Sequence, residues 1–316
     1  MSIRFPPRSA LIGRRIGGLV ALLLWLASLN ALASQNQRLP LSTCSPADLL
    51  FVGGFESTPR LPVDDSGGSG GVSGAFSANT HVAGIGSGTQ TWYGYAPVIA
   101  SQRPVPLLLL LHGGAGSPAA ANAAAMQLRD LWQPLAAARG FVLVAPVAGG
   151  NSGGWLAPFG PGVHPTDYDV ISAALADAEA MYRINRTRRY GWGFSAGGHV
   201  MHDLALNGYA PAFSETNIAA YAVSAGLLPA VACSGLSSSQ CSALLASLPR
   251  RLPALIRIGS SDGYLPYAQS DRNRFAATGW TQGDDLGYQE FAGGHVIDVA
   301  EPAPSWSFLC RFAVIP

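Results

Sequence analysis

The chain has 316 residues, 48% of them hydrophobic and only 12% charged, enough apolar side chain for a sizeable core. A formal net charge of +1 supplies no electrostatic basis for gripping nucleic acid or an anionic membrane surface. No lysine occurs anywhere in the sequence, which excludes a P-loop, a pyridoxal Schiff base and a Ser-Lys dyad.

In chain order, the first fifteen residues carry Arg4, Arg8, Arg14 and Arg15 and no acid. An apolar run from Ile16 to Leu29 follows and ends at Ala31-Leu32-Ala33, before Ser34. A basic start, a short apolar middle and an A-x-A exit predict a secretory signal peptide over residues 1–33. The alternative, an uncleaved anchor, suits a longer run that is not interrupted by Ser28 and Asn30. The mature chain is therefore expected to be secreted or periplasmic, with no stable membrane association after cleavage.

Residues 34–88 are rich in Gly, Ser and Pro, with Gly67-Gly68-Ser69-Gly70-Gly71 at their centre, and read as a loop-rich N-terminal extension. Residues 89–316 read as one catalytic-sized domain of alternating strands and helices. Strands are expected at Thr91–Ala96, Val105–Leu111, Phe141–Ala145, Tyr190–Phe194, Tyr221–Ser224, Ala254–Ile258 and Tyr288–Phe291. Helices are expected at Ala119–Arg139 (bent or broken by Pro134), Asp169–Tyr182, Ala196–Leu206, Tyr267–Ala277 and Ser305–Phe312. Asp167 and Asp169 are expected to cap the second of these. Short apolar strands separated by helices predict an α/β fold with a mostly parallel central sheet covered on both faces.

Four cysteines in an exported chain favour two disulfides. Cys233 and Cys241 flank a Ser-rich loop, which leaves Cys44 and Cys310 to tie the ends of the mature chain together. No C-x-x-C cluster occurs, so no metal is implied.

Gly193-Phe194-Ser195-Ala196-Gly197 lies between a predicted strand and a predicted helix. That is the setting of the nucleophile elbow of the α/β-hydrolase fold, where a sharp turn holds a serine and leaves room only for glycine nearby. His112-Gly113-Gly114-Ala115-Gly116 follows the apolar run ending at Leu111. In this fold that loop supplies one backbone N–H to an oxyanion hole and the residue after the nucleophile supplies another, which makes Gly113, Gly114 and Ala196 the candidates. His112, preceding the serine, reads as a loop-shaping residue.

The base comes last in such a chain. Of the histidines after Ser195, His199 and His202 sit on the helix that leaves the elbow, whereas His295 follows a strand in Ala292-Gly293-Gly294-His295. His295 is the expected base. His199, His202 and Asp203 make a poor zinc site and read as packing or surface residues. The orienting acid is expected at a strand end, and Asp262 after Ile256–Ser261 fits better than Asp271, Asp284 or Asp285. Trp155 and Tyr264 lie in loops expected near the mouth of the site and are candidates for lining a substrate pocket.

Together these residues resemble the poly(3-hydroxybutyrate) depolymerase-like esterases, a family that also embraces feruloyl and acetylxylan esterases. Asp167–Leu206 carries most of the likeness, Val105–Gly116 and Gly259–Pro266 match more loosely, and residues 89–312 are covered. The resemblance implies a Ser195–His295–Asp262 esterase working outside the cytoplasm without a cofactor. Its substrate would be a small or oligomeric carboxylic ester: short-chain, hydroxyalkanoate or plant-cell-wall. The sequence departs from the family in lacking a cysteine after Gly113 and Trp-Pro after the base. It also ends too soon after His295 for a polymer-binding domain, which favours soluble esters over crystalline polyester. A secreted serine peptidase of the same fold and a non-catalytic secreted binding protein remain as alternatives.

Overall fold

The computed structural model describes residues 35–39, 44, 62–86, 88–210 and 212–315. The expected signal peptide and part of the expected extension lie outside the described residues. Strand β1 (Gln35–Arg38) pairs antiparallel with the last strand of the chain, apart from the central sheet. Strands β2 (Gly74–His81), β3 (Thr89–Ala96) and β4 (Val105–Leu111) are followed by helix α1 (Pro118–Arg139) and β5 (Val142–Pro146). Helix α2 (Asp167–Met181), β6 (Ile184–Phe194), α3 (Ala196–Asn207) and β7 (Ala220–Ser224) come next. The chain closes with α4 (Ser238–Ala246), β8 (Ala254–Gly259), α5 (Leu265–Ala277), β9 (Leu286–Phe291), α6 (Pro302–Leu309) and β10 (Phe312–Ile315).

The central sheet has eight strands in the order β2-β3-β5-β4-β6-β7-β8-β9. The β2–β3 and β3–β5 pairs are antiparallel, and every pair from β5 to β9 is parallel. Alternation along β4 shows why both faces must be covered. Leu107, Leu109 and Leu111 enter one core cluster, and Leu108 and Leu110 enter the other. Burial of each such side chain contributes about 1.5–3 kcal/mol.

Four local expectations differ from the structure. Residues 74–81, read as part of a flexible extension, form the edge strand of the sheet. Their alternating small and polar side chains hide a period-2 pattern, and Phe76 anchors it edge-on against Trp92 at 5.3 Å. The Gly-rich segment before it is a close-packed strap: a Cβ at Gly68 would lie 2.2 Å from the Glu179 carbonyl oxygen, and Ser69 N–H donates to Ala180 O at 2.9 Å. Pro134 leaves α1 continuous, because the exposed Asp130 carbonyl it frees lies on the solvent side while Trp132 and Ala136 pack below. At the C-terminus the helix stops at Leu309, earlier than expected, and the last residues become β10.

Two disulfides complete the frame. Cys44–Cys310 and Cys233–Cys241 have Cα separations of 5.3 and 5.4 Å, the pairing expected from the spacing. Among the described residues, no helix is long and apolar enough to cross a membrane.

Candidate active site

Ser195 occupies the corner between β6 and α3 with φ 49° and ψ −118°. A non-glycine residue at such angles costs on the order of 1–3 kcal/mol and persists only when its surroundings over-determine it. Its N–H donates to Ser224 O and its carbonyl accepts from His199 N–H, both at 2.9 Å. Around the corner there is no space for a side chain. A Cβ at Gly193 would lie 2.3 Å from Gly197 O, one at Gly197 2.3 Å from Leu111 O, and one at Gly198 2.8 Å from the Gly226 Cα. The glycine spacing of the motif is thus the steric condition for the turn.

Two loops bring the other groups to Ser195. The loop after β8 carries Asp262, and the loop after β9 carries His295. They approach so closely that a Cβ at Gly259 would lie 2.3 Å from Gly294 O, and Ser261 N–H donates to Gly293 O at 2.8 Å. The Asp262 side chain is 2% exposed; its Oδ1 accepts from Tyr264 N–H at 2.8 Å and its Oδ2 lies 2.8 Å from His295 Nδ1. His295 Nε2 lies 2.7 Å from Ser195 Oγ. A carboxylate on Nδ1 selects the tautomer whose Nε2 lone pair faces the hydroxyl, so the hydroxyl donates and the ring accepts. The three groups form one continuous hydrogen-bonded chain.

The histidine loop is held from behind by a buried ion pair that the sequence reading did not single out. Arg257, on β8, donates to Glu301 Oε2 at 2.5 Å, and Glu301 also accepts from Trp192 Nε1 at 3.0 Å and Ser305 Oγ at 2.6 Å. Burial pushes the Glu301 carboxyl up, and the Arg257 charge opposes that shift. An arginine inside an otherwise apolar strand, Ile256-Arg257-Ile258, was the available signal; its partner 44 residues away was not readable.

The third side of the site is the loop after β4. A Cβ at Gly113 would come within 3.4 Å of the Ser195 Cβ, and one at Gly114 within 3.8 Å of the Ala196 Cβ. The candidate oxyanion residues therefore flank the serine. His112 shapes this loop: its Nε2 accepts from Ala148 N–H at 3.1 Å, and its Nδ1 donates to Gly113 O at 2.6 Å. Burial lowers its pKa, in keeping with the neutral ring that these bonds require. The Trp155 indole N–H donates to His112 O at 2.8 Å, so Trp155 braces the loop. Asp167 does not cap α2 as expected, since Thr166 is the N-cap. Its carboxylate accepts from Gly149 and Leu156 N–H groups and ties down the segment bearing Trp155, while Thr166 and Asp169 form the capping box. Burial raises the Asp167 pKa to about 6.

Tyr264 is 38% exposed, with its ring 5.0 Å from that of His295. His199 Nδ1 accepts from Leu227 N–H at 2.9 Å. Burial, with a smaller contribution from His295, pushes its pKa down to about 4. His202 is buried against the Tyr221 hydroxyl, and Asp203 accepts from Tyr168 and Asn207. Asp271, weighed as a rival acid, accepts from Leu228 N–H inside the core. A cavity of about 380 Å³ opens beside the Gly113–Gly114 loop, against α1. Neither Trp155 nor Tyr264 lines it. The sequence reading missed its helical wall.

The chain matches no protein-family model and no curated protein. It is similar in structure to FphF, a fluorophosphonate-binding serine hydrolase of Staphylococcus aureus, at 15% identity and TM-score 0.57, over 76% of this chain and 99% of that one. It is also similar to a ferulic acid esterase at 18% identity and TM-score 0.55, over 75% and 98%. A third similar structure is the S-formylglutathione hydrolase FrmB of Staphylococcus aureus, at 15% identity and TM-score 0.52, over 75% and 98%. With the strand order above, these likenesses establish the α/β-hydrolase fold.

Proposed function

We propose that this chain is a serine hydrolase that cleaves carboxylic esters through an acyl-Ser195 intermediate. The observation that carries this reading is the unbroken Ser195–His295–Asp262 hydrogen-bonded chain, with Gly113 and Gly114 packed beside Ser195 and Ala196. Ser195 Oγ attacks the ester carbonyl carbon while His295 Nε2 takes its proton. Asp262 stabilises the imidazolium, and Ala196 N–H with Gly113 or Gly114 N–H receives the oxyanion. The imidazolium then returns its proton to the departing alkoxide, and water repeats the sequence to release the acid. Apart from the ester and the attacking water, each group named in these steps belongs to this chain.

The fold neighbours support ester chemistry by their own activities, one a ferulic acid esterase and another an S-formylglutathione hydrolase. The likeness to poly(3-hydroxybutyrate) depolymerase-like esterases belongs to the same proposal, as does export behind a signal peptide over residues 1–33. Two disulfides support that location, since such bonds persist in oxidising compartments.

Turnover of a p-nitrophenyl short-chain ester tests the proposal. Ser195→Ala is expected to lower kcat by several orders of magnitude and to abolish labelling by a fluorophosphonate. Retention of most of the activity by the variant would overturn the assignment, and an unlabelled, inactive wild-type protein would favour a binding role.

A further inference from the structure

Helix α1 presents two different alanine rows. Ala121 and Ala125 are fully buried against the sheet, with Leu128, Trp132 and Ala136. Ala120, Ala124, Gln127 and Leu131 occupy the neighbouring stripe, at steps of four, three and four residues that keep them on one side of the helix. This stripe, with Leu128, forms one wall of the cavity of about 380 Å³; the Gly113–Gly114 loop, Phe194 and Ile297 form the others. None of the lining residues except His112 is ionisable, and burial lowers the pKa of His112. The space falls in the range, roughly 300–1,000 Å³, of pockets that enclose small organic ligands. A two-carbon acyl group would fill little of it.

The chemistry at Ser195 decides which part of an ester faces this space, given the ester-hydrolase reading proposed above. In the tetrahedral intermediate the oxyanion turns to the Gly113, Gly114 and Ala196 N–H groups. The leaving oxygen must be reached by His295 Nε2 to receive its proton. The remaining substituent, the acyl chain, points away from His295. The cavity borders the oxyanion loop; Ile297 reaches it from the histidine loop and Phe194 from the serine corner, while His295 itself, Tyr264 and the Asp262 loop do not line it. The geometry points to this cavity as the acyl pocket, selecting uncharged aliphatic acids of medium length, with Ala120 and Ala124 keeping it open and Leu131 setting its depth. Carboxylated or ammonium-bearing acyl groups would lose hydration against a wall that offers no counter-charge.

The test is a chain-length series of p-nitrophenyl esters, acetate to octanoate, on wild type, Ala124→Phe and Leu131→Ala, with fluorophosphonate titration of Ser195. Each methylene accepted by the pocket should raise kcat/KM by up to roughly fourfold in wild type. In Ala124→Phe the hexanoate-to-acetate ratio should collapse at least tenfold. In Leu131→Ala the preferred chain should lengthen, a gain that a merely misfolded variant does not give. Wild type that turns over and labels normally, yet shows a flat series or one that neither variant alters, would overturn the acyl pocket alone. Wild type that neither turns over any ester nor labels would overturn the ester-hydrolase reading, and the pocket with it.

Discussion

Two regions of chain converge on the Ser195 hydroxyl, and they differ in the contacts that distinguish them. The corner from Gly193 to Gly198 is held by the lack of space: carbonyl oxygens and backbone carbons stand where Cβ atoms would be. The histidine loop, residues 292–301, is held by polar attachment, with the Arg257–Glu301 pair and its Trp192 and Ser305 partners fastened beneath it. A close-packed corner fails when a methyl group is added. A polar anchor fails when a charge is removed. The corner is contiguous in sequence, whereas the anchor joins residues 44 apart, so the first can be written as a motif and the second cannot.

The largest effect on stability is expected at the anchor. Glu301→Gln keeps hydrogen-bonding atoms for Trp192 and Ser305 but leaves the buried Arg257 guanidinium without its principal counter-charge. Stability should fall by about 3 kcal/mol, the lower end for a broken buried pair, because Asp298 still lies 3.7 Å from Arg257. Urea unfolding measures this; a loss under about 1 kcal/mol would mean that the loop does not depend on the pair.

Gly197→Ala sharpens the other half of the contrast. Its methyl would meet the Leu111 carbonyl, and shifts of the corner should cost about 1–3 kcal/mol. Ester turnover should drop at least about a hundredfold in the protein that remains folded, because displacement of the hydroxyl by about 1 Å is enough for that. An active, equally stable Gly197→Ala protein would remove the steric account of the corner.

The effect that is smallest at neutral pH, and grows only on acidification, separates His199 from His295, which lies close enough to contribute to its pKa shift. The folded pKa of His199, about 4, lies below the unfolded value of about 6.5, so the unfolded state binds more protons between those values. The stability linked to His199 is therefore complete above about pH 6.5 and lost on acidification towards pH 4. The raised carboxyls of Asp167 and Asp271, both about 6, act with the opposite sign, which makes a difference measurement necessary. His199→Asn keeps an acceptor for Leu227 N–H. Below pH 6.5 wild type should lose stability relative to this variant by about 1.36 kcal/mol per pH unit. Parallel pH profiles would show that His199 titrates normally.

Much of the fold was legible because its determinants are local. The strand runs of β4, β5, β7 and β8 and the helix after the elbow follow from periodicity, and the glycine pattern around Ser195 is a contiguous motif even though Leu111 and Gly226 supply part of the steric reason for it. The order of Ser195, Asp262 and His295 along the chain selected the groups that the structure joins by hydrogen bonds at 2.7 and 2.8 Å. The edge strand at 74–81 was less legible, because its small and polar residues look the same whether they are solvated or paired. Its strand character depends on β3, to which it is bonded along its whole length.

The sequence alone therefore determined the α/β architecture and the motif of the corner that bears Ser195, and chain order picked out Asp262 and His295 as its partners, since periodicity, small residues and residue order are all written along the chain. Tertiary structure alone decided that Gly68 lies against Glu179, that Asp167 ties a distant loop, that Arg257 meets Glu301 and that one face of α1 walls a cavity. Those pairings depend on which surfaces the packed sheet brings together, and the same side chains would suit other partners equally well until the core closes around them.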